Sequence, residues 1–200
     1  MLSSTEILTG ILHIRSVFTK EESERLIGEA LQWPRAPART YNGFTPNVQD
    51  DKQRKGSTYT CPPQIMHNAW FRVNIDEAVI HYLRKAPTPP IVSWKQVEMQ
   101  LVEYDDPGDH FNMHRDCHLE ADIGKTEKIR KVSMSIELTP SDQYEGCQLS
   151  FPDAKGGICF PNSEQGDITM FPSWHSHKVS PITSGVRRAL IVWFHGPFWA

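Results

Sequence analysis

The sequence predicts a mainly β protein, a double-stranded β-helix (jelly roll) with N-terminal helices packed outside it. Three observations predict this. From Ile91 onward, short runs rich in β-branched and aromatic residues are separated by Gly, Pro, Asn and Asp turns. Ahead of them, two stretches carry apolar residues at helical spacing. Fifteen Pro and six Trp suit a loop-rich β protein better than a helix bundle. With 200 residues, 38% hydrophobic and 22% charged, the chain is long enough for one domain with a real core. Residues 1–90 are expected to give helical support and residues 91–200 the jelly-roll core.

Ile7 to Ile14 alternates loosely and predicts a first strand. Thr19 is the expected N-cap of a helix, with Glu21 and Glu22 in its first turn, where carboxylates favour the helix dipole. Leu26, Ile27, Ala30 and Leu31 form its core stripe, and Pro34 stops it. Residues 34–66 are polar and punctuated by Pro, Gly, Asn and Asp, which predicts a long connection. Two readings of it stand side by side: a lid over a site, drawn from residues 40–66, or an exposed loop with solvated charges. Asn68 to Lys85 returns to helical spacing through Ile75, Val79, Ile80 and Leu83. Strands are then expected over Ile91–Tyr104, Arg130–Leu138, Gln148–Phe151, Gly157–Phe160, Asp167–Phe171, His175–Val179 and Arg187–Phe194. In Arg130–Leu138, Val132, Met134, Ile136 and Leu138 alternate with Lys131, Ser133, Ser135 and Glu137, the pattern of a half-buried strand.

The formal net charge of −3 gives no electrostatic case for nucleic acid or an anionic membrane surface. No apolar run approaches the roughly 18 residues of a membrane span. Met1 to Ile14 has an early Glu6 and no basic leader, so a signal peptide is not expected. Cys61, Cys117, Cys147 and Cys159 form no C-x-x-C pair, which argues against a zinc knuckle and fits reduced thiols in the cytoplasm.

The chemistry concentrates in Tyr104–Asp116, which ends His114-Arg115-Asp116. On a strand, side chains two apart share a face, with Cα atoms roughly 6.6 Å apart. His114 and Asp116 can then reach one metal ion while Arg115 points away. A third ligand is available in Trp174-His175-Ser176-His177, and His177 is preferred, although periodicity leaves His175 open. Two neutral imidazoles and one carboxylate are the donor set of a facial triad for non-haem Fe(II). His110 is expected to face solvent, His118 to stand behind the ligands, and His195 to lie in a turn. His177 to Arg187 reads as strand, Pro–Gly turn and strand, a hairpin that returns a basic residue toward the metal. Arg187 opens the apolar strand Ala189–Phe194, where a charge is costly unless paired. A carboxylate ligand held bidentately, or a salt bridge at the strand end, would satisfy it.

Together these residues resemble the iron(II)- and 2-oxoglutarate-dependent dioxygenases, in particular the prolyl 4-hydroxylase-like branch. The resemblance spans roughly residues 91–197. It rests on His114-x-Asp116, on His177, and on Arg187 ten residues later. Tyr104, ten residues before His114, stands where that family often has a tyrosine touching the cosubstrate. Gly146-Cys147-Gln148-Leu149 departs from the family's Gly-Gly-Glu-Leu turn without touching the triad. Trp193 occupies the position of the second arginine that nucleic-acid demethylases need, which counts against base repair. Asp116 is intact, where related halogenases have a small residue.

The resemblance implies Fe(II) held by His114, Asp116 and His177, with 2-oxoglutarate anchored by Arg187 and Tyr104. O2 would be the second cosubstrate and ascorbate a stimulant, and Trp193 a wall of the pocket. It implies hydroxylation of an unactivated C–H bond, with release of succinate and CO2. Three substrate expectations follow: a prolyl or other amino-acid side chain in a peptide or protein; a free amino acid or natural-product intermediate; or no turnover, in a metal-binding jelly-roll sensor.

Overall fold

The computed structural model describes residues 2–40, 48–66, 69–86, 92–117, 128–159 and 161–197. Where alternation suggests one first strand, β1 (Ser4–Leu8) and β2 (Ile11–Ile14) form a hairpin, and Gly10 supplies the turn with a φ of 81°. Helix α1 (Lys20–Ala30) begins at the expected cap. The Glu22 backbone N–H donates to Thr19 Oγ at 3.1 Å, and the Thr19 N–H donates to Glu22 Oε2 at 2.8 Å. The expected loop 34–66 is more ordered than its composition suggests. It holds β3 (Arg35–Pro37), β4 (Arg54–Lys55), β5 (Ser57–Thr60) and the short α2 (Pro63–Met66). Residues 41–47 of the expected lid lie outside the described residues.

After α3 (Arg72–Lys85) come β6 (Ser93–Tyr104), β7 (His110–His114), β8 (Lys128–Glu137), β9 (Tyr144–Gly146) and β10 (Leu149–Pro152). The chain continues through β11 (Ile158–Cys159), β12 (Ile168–Pro172), β13 (His177–Val179), β14 (Ile182–Gly185) and β15 (Arg187–Pro197). An eight-stranded sheet has the order β1-β2-β12-β8-β15-β6-β5-β3, and a five-stranded sheet the order β11-β10-β13-β7-β4. All the strand pairs are antiparallel, as a jelly roll requires. None of the described helices is long and apolar enough to cross a membrane.

The core has two layers. Leu26, Ala30, Ile75, Val79 and Tyr82 of the helices pack against Val132, Met134, Ile136 and Leu190 on the outer face of the large sheet. A second cluster, with Tyr104, Cys147, Phe151, Phe171 and Val179, fills the space between the sheets. Strand β8 lies between these layers, so its expected solvent face does not exist. Lys131, Ser133, Ser135 and Glu137 are all buried, and a central strand covered on both sides carries its polar residues inward.

The expected hairpin from His177 to Arg187 is also replaced. Strand β13 pairs with β7 and β10 in the small sheet, whereas β15 pairs with β6 and β8 in the large one. The intervening β14 pairs with β9. The segment therefore crosses between sheets and delivers His177 and Arg187 to opposite walls of one interior.

The lead-in to β12 is pinned at Gly166. Its carbonyl accepts from the N–H groups of Val17 and Phe18 at 3.0 and 3.1 Å, and its own N–H donates to Glu137 O at 2.8 Å. Its φ is 89°, and a Cβ there would collide with the Phe18 carbonyl. Gly166→Ala is expected to cost roughly 1–3 kcal/mol, with a fall in melting temperature of about 2–4 °C per kcal/mol. An unchanged melting temperature would show that this turn relaxes freely.

Candidate metal centre

His114 closes β7 and His177 opens β13, and the two are paired across these neighbouring strands. Asp116 arrives differently from the expectation of one continuous strand, because β7 ends at His114. Two serines hold the bend that follows. The Asp116 backbone N–H donates to Ser173 O at 2.9 Å, and Ser133 Oγ donates to Asp116 Oδ2 at 2.6 Å. Ser133 lies on β8, so the carboxylate is tied to the large sheet while both imidazoles belong to the small one.

The hydrogen bonds choose the imidazole tautomers. His114 Nδ1 lies 2.8 Å from Asn112 O, and His177 Nδ1 lies 3.0 Å from His175 O. Carbonyl oxygens only accept, so each Nδ1 carries a proton, and in the neutral ring that tautomer leaves the lone pair on Nε2. Those Nε2 atoms lie 3.5 and 3.7 Å from the two carboxylate oxygens of Asp116. One donor atom from each residue falls within 4.8 Å of the others. Fixing the far ring nitrogen on a carbonyl orients a metal-binding histidine.

The site is largely closed to water, with side-chain exposures of 10% for His114, 7% for Asp116 and 6% for His177. Burial lowers the His177 pKa to about 4, helped by the neighbouring His114, so this imidazole is neutral across the physiological range. Burial works to raise the Asp116 pKa. The two imidazoles beside it outweigh that and bring it below the usual carboxylate range. Phe111 stacks on His114 with ring centroids 3.3 Å apart, and the Phe171 ring meets the His177 ring at 62°. Two neutral imidazoles and a carboxylate, dry and pre-oriented, fit a ferrous ion.

The rival histidines fall away from this cluster. His175 contributes its carbonyl to His177, while its own ring is not among the three converging groups. His110 Nδ1 and Nε2 lie 2.8 and 3.1 Å from the Gly108 and Lys52 carbonyls. His195 sits within β15 instead of a turn and meets Glu98 at 3.3 Å. His118 lies outside the described residues.

On the opposite wall, Arg187 and Tyr104 are a cross-strand pair of β15 and β6, with the guanidinium 5.9 Å from the Tyr104 ring centre. Both line the cavity that contains the triad, as do Trp193 and Arg54. Burial pushes the Tyr104 hydroxyl up to about 12, so it stays a neutral donor. Arg187 already has a carboxylate partner. Its Nε and a terminal nitrogen lie 2.9 and 2.7 Å from Glu137 Oε2. Glu137 is fully enclosed, and burial raises its pKa, an effect Arg187 partly offsets.

Three site residues escaped the sequence reading: Ser133, Glu137 and Arg54. The first two sat on a face read as solvent-exposed, and Arg54 sat in a segment read either as a lid or as a solvated loop, with no residue of it singled out. The β-branched and aromatic run Ser57-Thr58-Tyr59-Thr60 beside it was the available sign that this segment pairs into a sheet.

The chain matches the 2OG-Fe(II) oxygenase superfamily over residues 99–195, which contain every triad residue together with Tyr104 and Arg187. It is 33% identical over 99 residues to a PKHD-type hydroxylase of Idiomarina loihiensis, a stretch covering 50% of this chain and 43% of that protein's length. Among solved structures, a Pseudomonas putida prolyl-4-hydroxylase superposes with a TM-score of 0.62 and 18% identity, covering 93% of this chain and 92% of that one. A prolyl hydroxylase from Trichoplax adhaerens, in complex with a hypoxia inducible factor peptide fragment, gives a TM-score of 0.70 at 14% identity, covering 93% and 83%. At such identities the two structures establish the fold, a prolyl hydroxylase-like jelly roll. The cofactor and cosubstrates of the matched superfamily are Fe(II), 2-oxoglutarate and O2. Residues 99–195 thus match the 2OG-Fe(II) oxygenase superfamily in sequence, and the described chain has a prolyl hydroxylase-like fold.

Proposed function

We propose that this protein is an Fe(II)- and 2-oxoglutarate-dependent dioxygenase. It hydroxylates an unactivated C–H bond, on a prolyl or other amino-acid side chain, and releases succinate and CO2. The observation that supports this most is the convergence of His114 Nε2, His177 Nε2 and the Asp116 carboxylate in a buried, superfamily-matched interior. His114, Asp116 and His177 hold the iron. The bound iron and 2-oxoglutarate together supply the oxidising power that no side chain of the chain possesses.

The chain's own residues position and exclude. Asn112 O and His175 O keep both Nε2 lone pairs pointed inward, and Ser133 fixes one carboxylate oxygen. Phe111, Phe151 and Phe171 keep water from the imidazoles. Arg187 and the neutral Tyr104 hydroxyl hold the distal carboxylate of 2-oxoglutarate. To do so, Arg187 must loosen its pairing with Glu137. Glu137 Oε1 is buried with no hydrogen-bond partner. A proton taken up there would neutralise Glu137, free the guanidinium and give the incoming carboxylate a second donor.

The direct test is succinate formation that requires both Fe(II) and 2-oxoglutarate; its absence with both present, across a peptide and amino-acid panel, would overturn the assignment. Asp116→Ala should abolish binding of one Fe(II) per chain in anaerobic titration. Ser133→Ala should weaken that binding roughly 10- to 100-fold by releasing the carboxylate. Unchanged binding in either variant would contradict its role.

Glu137 also sets a pH dependence. Its neutral form is the one that leaves Arg187 free, and its pKa is raised. Affinity for 2-oxoglutarate should therefore rise as pH falls toward the raised Glu137 pKa. Glu137→Gln should bind 2-oxoglutarate roughly tenfold tighter with that dependence flattened. A variant that binds more weakly would show that the carboxylate assists the anchor.

A further inference from the structure

Strand β4 forms the edge of the small sheet beside β7, and Arg54 is in register with Phe111. Its guanidinium lies 4.5 Å from the Phe111 ring centre, and Phe111 in turn stacks on His114. Arg54 is 8% exposed and lines the triad's cavity. One terminal nitrogen donates to Arg39 O at 2.8 Å, and Nε has no acceptor. Among the described residues no carboxylate pairs with it, whereas Arg187 on the opposite wall has Glu137. Trp193 Nε1, on the wall of the same cavity, is a second buried donor with no acceptor.

A buried guanidinium carries a desolvation cost that one carbonyl contact does not offset. Burial indeed lowers its pKa from the ordinary guanidinium value. The anion facing it across the cavity, Asp116, is the one committed to the metal. Both orphan donors ask for acceptor oxygens, and a planar carboxylate matches the guanidinium fork. The position separates the two carboxylates that could occupy it. Arg187 stands on a central strand of the large sheet and suits the cosubstrate, whereas Arg54 stands on the edge strand of the facing small sheet, which leaves it for a second carboxylate.

Resting on the hydroxylase assignment, we propose that Arg54 binds a carboxylate of the substrate, so that the substrate is a free amino acid or similar small carboxylic acid and not a residue inside a peptide. The group that Arg54 selects is then the α-carboxylate, a charge that a residue within a chain does not carry.

Binding is measured without turnover, on the full chain loaded with Zn(II) in place of iron and saturated with 2-oxoglutarate. The probes are the free L-amino acids, their α-amides, and peptides in which the same residues are internal. At least one free acid should bind in calorimetry and raise the melting temperature, and its amide and internal-peptide forms should not. Arg54→Gln should weaken that acid roughly 10- to 100-fold and leave 2-oxoglutarate affinity unchanged, with Arg54→Lys in between. Equal binding of acids and amides, tighter binding of internal peptides, or no free acid bound would overturn the proposal. A loss of 2-oxoglutarate affinity in Arg54→Gln would also overturn it, by assigning Arg54 to the cosubstrate. The comparison of acid with amide needs no variant, so a variant that fails to fold leaves it decisive. Loss of succinate formation would refute the hydroxylase assignment while leaving an observed acid preference standing.

Discussion

Three lone-pair donors facing one another in a dry interior repel until a cation sits among them. Asp116 and the two Nε2 atoms are in that position, within 4.8 Å of one another. The arrangement is held from outside the cluster: two backbone carbonyls fix the imidazoles, and a serine from the opposite sheet fixes the carboxylate. A proton on His177 could relieve the repulsion, but burial disfavours it down to about pH 4. The fold thus builds and maintains a charge deficit that a divalent metal fills, and the surrounding structure keeps that deficit in one place.

The two sheets divide the remaining work. The small sheet carries the histidines on β7 and β13 and extends to Arg54 on β4. The large sheet faces it with Tyr104, Ser133, Glu137, Arg187 and Trp193. Its outer face is apolar and packs on the helices, so every polar residue on the inner face is a deliberate expense of burial. Ser133 and Glu137 each find an immediate partner, one on the carboxylate ligand and one on the guanidinium. Among the described residues Arg54 keeps a single carbonyl acceptor, and that asymmetry distinguishes it from Arg187.

Much of this was legible in the sequence. The capped α1 helix, the succession of short strands and the nearness of His114 and Asp116 follow from local chemistry and spacing, whereas spacing left His175 open beside His177 and the structure groups His177 with the other two. One mistake arises because alternation reports a strand's two faces without saying what covers them. In β8 the polar face was assigned to water, yet a second sheet lies over it, so Ser133 and Glu137 were missed. The crossing of residues 180–186 between sheets was missed because a hairpin and a crossover share the same turn residues. Arg54 was hidden because pairing with a strand more than fifty residues away leaves no local mark beyond a short β-rich run.

The most direct test of the centre is anomalous diffraction at the iron edge from crystals grown anaerobically with Fe(II). The expected result is one peak per chain, within bonding distance of His114 Nε2, His177 Nε2 and an Asp116 carboxylate oxygen. A peak bound through other residues, or none at saturating Fe(II), would contradict the assignment.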